Sequence, residues 1–123
     1  LAKELEADAI AIDERTTRLM IESPMLVARI LEQKMHTKIE VNKINLKIFK
    51  EYTKDMVVIR SSEIAVMAYD AGLLDNLMDP NLKEIAQIKP RKDLLDGILW
   101  GVKLRGCAIN SDELDRILTL EGY

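Results

Sequence analysis

The sequence predicts a helix-rich α/β fold, a small parallel sheet flanked by helices, on three observations. Two short apolar runs, ADAIAI at 7–12 and MVVIR at 56–60, are each followed at once by a polar opening and a helical pattern, the strand-to-helix order of a parallel sheet. Segments with a period near 3.6 fill most of the remaining chain. The composition agrees: 123 residues, 48% apolar and 32% charged, with five Gly and three Pro, describe one globular domain over 1–123 rather than a disordered chain.

The elements follow in order. LAKELEAD at the start reads as the last turns of a helix already under way, and with Leu rather than Met as first residue it leads to the expectation of further upstream sequence. The run 7–12 is a buried strand, and DERTTRLMIE opens a helix behind it, with Leu19 and Met20 as apolar contacts. Ser23-Pro24 matches an N-cap with proline at the first helical position, opening a helix through Met25, Leu26, Ile30, Leu31 and Met35. TKIEV at 37–41 alternates weakly and suits a short strand or a connector.

From Lys43 to Lys54 the helical period returns, with Ile44, Ile48, Phe49 and Tyr52 on the expected inner side and a stripe of Lys43, Lys47, Lys50 and Lys54 on another. The run 56–60 is the second strand, Ser61 is placed to cap the helix SEIAVMAYDAG, and Gly72 stops it. Leu73 to Lys89 reads as a turn of helix and a loop, broken at Asp79-Pro80. Pro90 opens a helix to Arg105 with Leu94, Leu95, Ile98, Leu99 and Val102 inward, and Gly106 ends it. Cys107 is expected in a short buried strand, after which Asn110 and Glu113 form a capping box for a last helix with Leu114, Ile117 and Leu118 inward.

Several function classes drop out on composition. A formal charge of −3 gives no global positive field, so any nucleic-acid surface is local. A single cysteine excludes an internal disulfide and a Cys-rich zinc site, and suits a reducing compartment. No run approaches the roughly 18 apolar residues of a membrane span and no signal peptide opens the chain, so a cytoplasmic protein with no membrane partner is expected.

Chemistry concentrates at Asp13 and Glu14, where a strand's C-terminal end meets a helix N-terminus and the helix dipole favours anionic groups. The plain alternative is that Asp13 caps the helix and Glu14 stabilises its first turn. Arg15 and Arg18 are spaced i, i+3 and would pair with Glu14 or Glu22 at a solvated surface. The Lys43/Lys47/Lys50 stripe would track RNA phosphates or is an ordinary solvated face, the latter favoured because no aromatic is interleaved for stacking. His36 reads as a helix-end residue and Ser61 and Ser62 as caps rather than nucleophiles, while Asp93 and Asp96 share a helix flank that would lend carboxylates to a metal or, equally well, form an exposed polar face. Trp100 and Leu104 lie off the inner stripe of their helix, so either the last helix or a homodimer partner covers them.

Three segments together resemble the C-terminal half of PIN domains: AIAIDERTTRL at 9–19, VVIRSSEIAVMAYDAGLL at 57–74 and LLDGILWGVKLRGCAINSDELDRILTLEG at 94–122. They cover about half the chain in family order, and residues 25–55 then stand as a helical insertion. The resemblance implies a metal-dependent endoribonuclease in which carboxylates hold Mg²⁺ or Mn²⁺, with Asp13 and Glu14 as catalytic and metal-binding acids and Arg15 and Arg18 near phosphate. It also implies RNA as substrate and an antitoxin protein as a partner. The family's other acids lie on an N-terminal strand and helix not seen here, so this portion alone is expected to be inactive. The alternative is a non-catalytic α/β module that binds RNA or protein.

Overall fold

The computed structural model describes residues 1–78 and 90–123. They form two compact units, Leu1–Ile59 and Arg60–Tyr123. The expected loop beyond residue 78, with its break at Asp79-Pro80, lies outside the described residues.

The first unit runs β1 (Ala9–Ala11), α1 (Arg15–Glu22), α2 (Pro24–Met35), α3 (Lys43–Thr53) and β2 (Val57–Ile59). β1 and β2 pair in parallel with Ala9 opposite Val57 and Ala11 opposite Ile59, and the Ile12 amide extends the ladder to the Ile59 carbonyl at 2.8 Å. The helix-rich α/β class with a small parallel sheet is therefore observed. Ahead of β1, the Leu1–Glu6 segment is a helical turn closed by the paired bonds Ala7 N–H to Ala2 O and Glu6 N–H to Lys3 O, with Glu6 at φ 51°. This is the left-handed ending common to helix C-termini, here built on a non-glycine residue.

Ser23 stands at the N-cap position of α2 but its side chain makes no capping bond, so Pro24, with no N–H to satisfy, carries the start. His36 ends α2 in the left-handed region, as a helix-end residue. Residues 37–41 form no strand; they are a connector fixed by the Ile39 N–H donating to Glu32 at 3.0 Å. Asn42 caps α3 by accepting from the Asn45 amide at 3.0 Å.

Of the apolar side expected for α3, only Phe49 turns inward. Ile44, Ile48 and Tyr52 are 74, 64 and 51% exposed, while Leu46, Phe49 and Thr53 point inward. Thr53 is buried without penalty because its hydroxyl donates back to the Phe49 carbonyl at 2.9 Å. Apolar residues occupy two sides of this helix, and local periodicity does not rank them. Between α2 and α3 lies an apolar groove of about 470 Å³ whose lining includes Val27, Leu31, Ile39, Leu46 and Phe49.

The second unit contains α4 (Ser61–Asp70), a 3₁₀ turn at Asp75–Leu77, α5 (Pro90–Leu104) and α6 (Ser111–Leu120). Its core is Tyr69, Leu95, Leu99, Cys107, Ile109, Leu114 and Leu118, with Leu94, Val102 and Ile117 packed against it, so the predicted inner stripes of α5 and α6 are observed except at Ile98, which is half-buried outside this cluster. Gly72 and Gly106 stop α4 and α5 at φ +70° and +109°, where a Cβ would be strained. Each ends in the double bond of a Schellman motif: Leu73 N–H to Ala68 O with Gly72 N–H to Tyr69 O, and Cys107 N–H to Val102 O with Gly106 N–H to Lys103 O.

Cys107 is buried as expected but not in a strand; Ile109 N–H closes back onto its carbonyl at 2.8 Å, and no extended neighbour pairs with it among the described residues. Trp100 and Leu104 are 42 and 80% exposed, so α6 does not cover them. No described helix is long and apolar enough to cross a membrane.

Candidate active site

The junction after β1 places Asp13 at the C-terminal end of a parallel strand pair, the edge of an α/β sheet where ligands bind in open sheets. The ladder's last bond, at Ile12, fixes the backbone one residue earlier. Asp13 is half-buried.

α1 begins later than a reading with Asp13 as cap requires. Glu14 is the N-cap, extended at φ −74° and ψ 123°. Its Oε1 accepts from the Thr16 amide at 2.8 Å, and its Oε2 accepts from the Thr17 amide at 2.6 Å and the Thr17 hydroxyl at 2.7 Å. Glutamate is an unusual cap, but its extra methylene lets the carboxylate fold back over both orphan amides while Thr17 adds a third donor. These bonds, the Thr16 amide foremost, hold the Glu14 carboxyl at a pKa of about 2, below its ordinary 4.5.

A depressed carboxylate pKa stabilises the fold above the unfolded value and loses that contribution as pH falls toward the folded one. Acidification through the window from 4.5 to about 2 is therefore expected to loosen α1. Thermal melts followed by circular dichroism should show Glu14→Gln less stable than wild type at neutral pH and with a flatter acid dependence. Identical acid dependence in the two proteins would mean that the cap is not the titrating group.

The remaining candidates are dispersed. Arg15 is exposed. The Arg18 guanidinium lies 3.9 Å from Glu22, a long ion pair, and its Nε is buried without a hydrogen-bond partner. Of the partners expected for Arg18 only Glu22 is near, and Arg18 is mostly buried at 17% exposure rather than solvated, whereas the side-chain oxygens of Glu14 are taken up by the two threonines. Lys43, Lys47 and Lys50 are exposed along α3. Beside them stands the exposed stripe of Ile44, Ile48 and Tyr52, and the Tyr52 ring carries the Lys3 ammonium at 4.7 Å from its centre.

Carboxylates suit a hard cation such as Mg²⁺ or Mn²⁺, but two adjacent acids, one folded onto its own helix, do not make a cage. Among the described residues no group of three or more His, Cys, Asp or Glu side chains converges. The residues present therefore do not by themselves fit a complete metal site.

In the second unit the sequence reading missed Arg60. It occupies the N-cap position of α4, one residue before Ser61, which is the first helical residue rather than the cap. Glu63 accepts from the Arg60 amide and from its guanidinium at 2.7 and 2.8 Å, while Nη1 reaches the Ala108 carbonyl at 3.3 Å and Glu113 at 3.2 Å. Burial opposes the Arg60 charge, but the bonds and attraction of Glu63 and Glu113 outweigh it and raise its pKa. Glu113 is also the reciprocal member of the predicted capping box, accepting from the Asn110 amide at 3.0 Å while Asn110 accepts from the Glu113 amide at 2.8 Å. One guanidinium thus joins two helix starts. The Arg60/Glu63 spacing was the only local signal for it.

No family model, curated protein or solved structure matches this chain.

Proposed function

We propose that this chain is part of a PIN-like, metal-dependent endoribonuclease, to which it contributes Asp13 as one metal-binding acid, with Glu14 as a positioning residue. The observation that supports this reading most is the junction after β1. Capping of α1 is assigned to Glu14, so Asp13, set at the carboxyl end of a parallel strand, is not the residue that starts the helix.

The described residues bring together too few acids for catalysis, so the chain alone is expected to be inactive and activity would need carboxylates from elsewhere in the protein. RNA would be the substrate, and Arg15, Lys43, Lys47 and Lys50 are accessible for phosphate contacts. An antitoxin remains part of the same reading, since it follows from the family likeness alone.

The test is Mn²⁺ binding, read as paramagnetic broadening of amide resonances. In wild type, Mn²⁺ is expected to broaden the amides of residues 12–17 first, and Asp13→Asn should abolish that selectivity while the Glu14 cap keeps α1 folded. Unchanged broadening in the Asp13 variant would remove Asp13 from the site and the reading with it.

A further inference from the structure

A cavity of about 450 Å³ lies between the end of α1, the end of α3 and the chain at β2, all within the first unit. That size falls in the range of roughly 300–1,000 Å³ typical of small-ligand sites. Part of its lining is apolar, with Ile21, Met56 and Val58. The rest is charged and carries both signs: Lys50 and Lys54, one helical turn apart at the end of α3, and Glu22 at the last position of α1.

None of these three charges is held by a strong contact. Lys50 has no acidic partner among the described residues, Lys54 lies 3.6 Å from Glu51 in an exposed pair, and Glu22 lies 3.9 Å from the Arg18 guanidinium. Surface pairs of this length contribute little, so a ligand displaces them easily. Thr53, which also lines the cavity, is buried, and its hydroxyl hydrogen goes to the Phe49 carbonyl at 2.9 Å, so it can only accept from a ligand.

We propose that this cavity binds a nucleoside monophosphate, with the phosphate on Lys50 and Lys54, the base against Ile21, Met56 and Val58, and the N–H groups of the base donating to Glu22. Two cations a turn apart suit a phosphate monoester, which carries about −1.5 to −2 at neutral pH, better than a carboxylate or a phosphodiester with one charge. An anion without donors, such as an acyl carboxylate, would set its charge near Glu22 and give no hydrogen bond in return. A nucleotide has both halves, an anion at one end and an apolar body edged with N–H donors at the other. The two oxygens of a carboxylate accept best from two adjacent N–H groups, which guanine presents and uracil does not. The proposal stands apart from the nuclease reading, since it needs neither Asp13 nor a metal.

Titration of the whole chain with guanosine monophosphate to about 10 mM, followed by amide chemical shifts, tests it. Saturable shifts are expected at residues 21–24 and 50–58. Lys50→Ala and Lys54→Ala should each weaken binding roughly three- to tenfold. Glu22→Gln should weaken guanosine monophosphate by about tenfold, cancel its preference over uridine monophosphate, and leave inorganic phosphate bound at least as tightly as in wild type, a split that loss of the fold does not produce. All three positions are exposed, and circular dichroism checks that each variant folds. No saturable shift, shifts centred elsewhere, unchanged binding in both lysine variants, or a Glu22→Gln that keeps the guanine preference would each overturn the proposal. A short RNA without a terminal phosphate that binds these lysines more tightly than guanosine monophosphate would overturn it too, by giving the site to a polynucleotide.

Discussion

Leu99→Ala is expected to destabilise the Arg60–Tyr123 unit by about 2–5 kcal/mol. Leu99 is fully buried on α5, among Leu95, Leu114 and Leu118, where α5 packs on its neighbours. Truncation removes the transfer free energy of the lost methyl groups and leaves a void that the flanking helices fill only in part. For a small unit the total stability is only of order 0.05–0.15 kcal/mol per residue, so a loss of that size removes most of it. Urea unfolding followed by far-UV circular dichroism should show a markedly lower midpoint, or an unfolded baseline without a transition. Leu99→Met conserves volume and should cost less than about 1.5 kcal/mol. Equal effects from the two substitutions would mean that shape at this position is not what holds α5.

Arg60→Met should be the most costly polar change, about 1–2 kcal/mol. It keeps the side-chain stem but removes a guanidinium only 13% exposed that satisfies Glu63, Glu113 and the Ala108 carbonyl. Charge-assisted bonds contribute about 1.5–3 kcal/mol, and the figure is discounted here because Glu63 and Glu113 are 45 and 36% exposed. Lysine is not expected to rescue it, since a single ammonium cannot serve both carboxylates and a carbonyl in the geometry of the fork. A double-mutant cycle with Glu113→Gln should return a coupling of about 0.5–1 kcal/mol. A coupling near zero would assign the loss to the contacts with Glu63 and the Ala108 carbonyl.

Several local signals in the chain were read correctly because the structure they specify is itself local, although Ser61 and Asp13 do not cap their helices. The Asn110/Glu113 capping box, the glycine stops at Gly72 and Gly106, and Pro24 at the first position of α2 depend on groups within five residues of one another. The inner stripe of α5 was legible because Leu95 and Leu99 belong to one dense apolar face repeated at helical spacing. The short strands were legible for the same reason, each being an apolar run before a polar helix start.

At the candidate site the sequence located the strand-to-helix junction, but the capping alternative it offered named Asp13, where the cap is Glu14. Preference tables favour aspartate, yet the carboxylate of Glu14 reaches two amides and a hydroxyl at once, an advantage that appears only when the backbone at 13–17 has taken its conformation.

By itself, then, the sequence determined the class of the fold, the order of its elements, most of their ends and the place where acids meet a helix start. Those are set by near-neighbour hydrogen bonding and by the period of apolar residues. Only the tertiary structure decided that α3 turns Leu46, Phe49 and Thr53 inward and leaves Ile44, Ile48 and Tyr52 outside, because two apolar sides of one helix differ only in what they meet. It also decided that Arg60 bridges to Glu113, 53 residues away, a contact whose partner no local pattern names. It left Trp100 and Leu104 uncovered by α6, turning an ambiguous second apolar side of α5 into an exposed face.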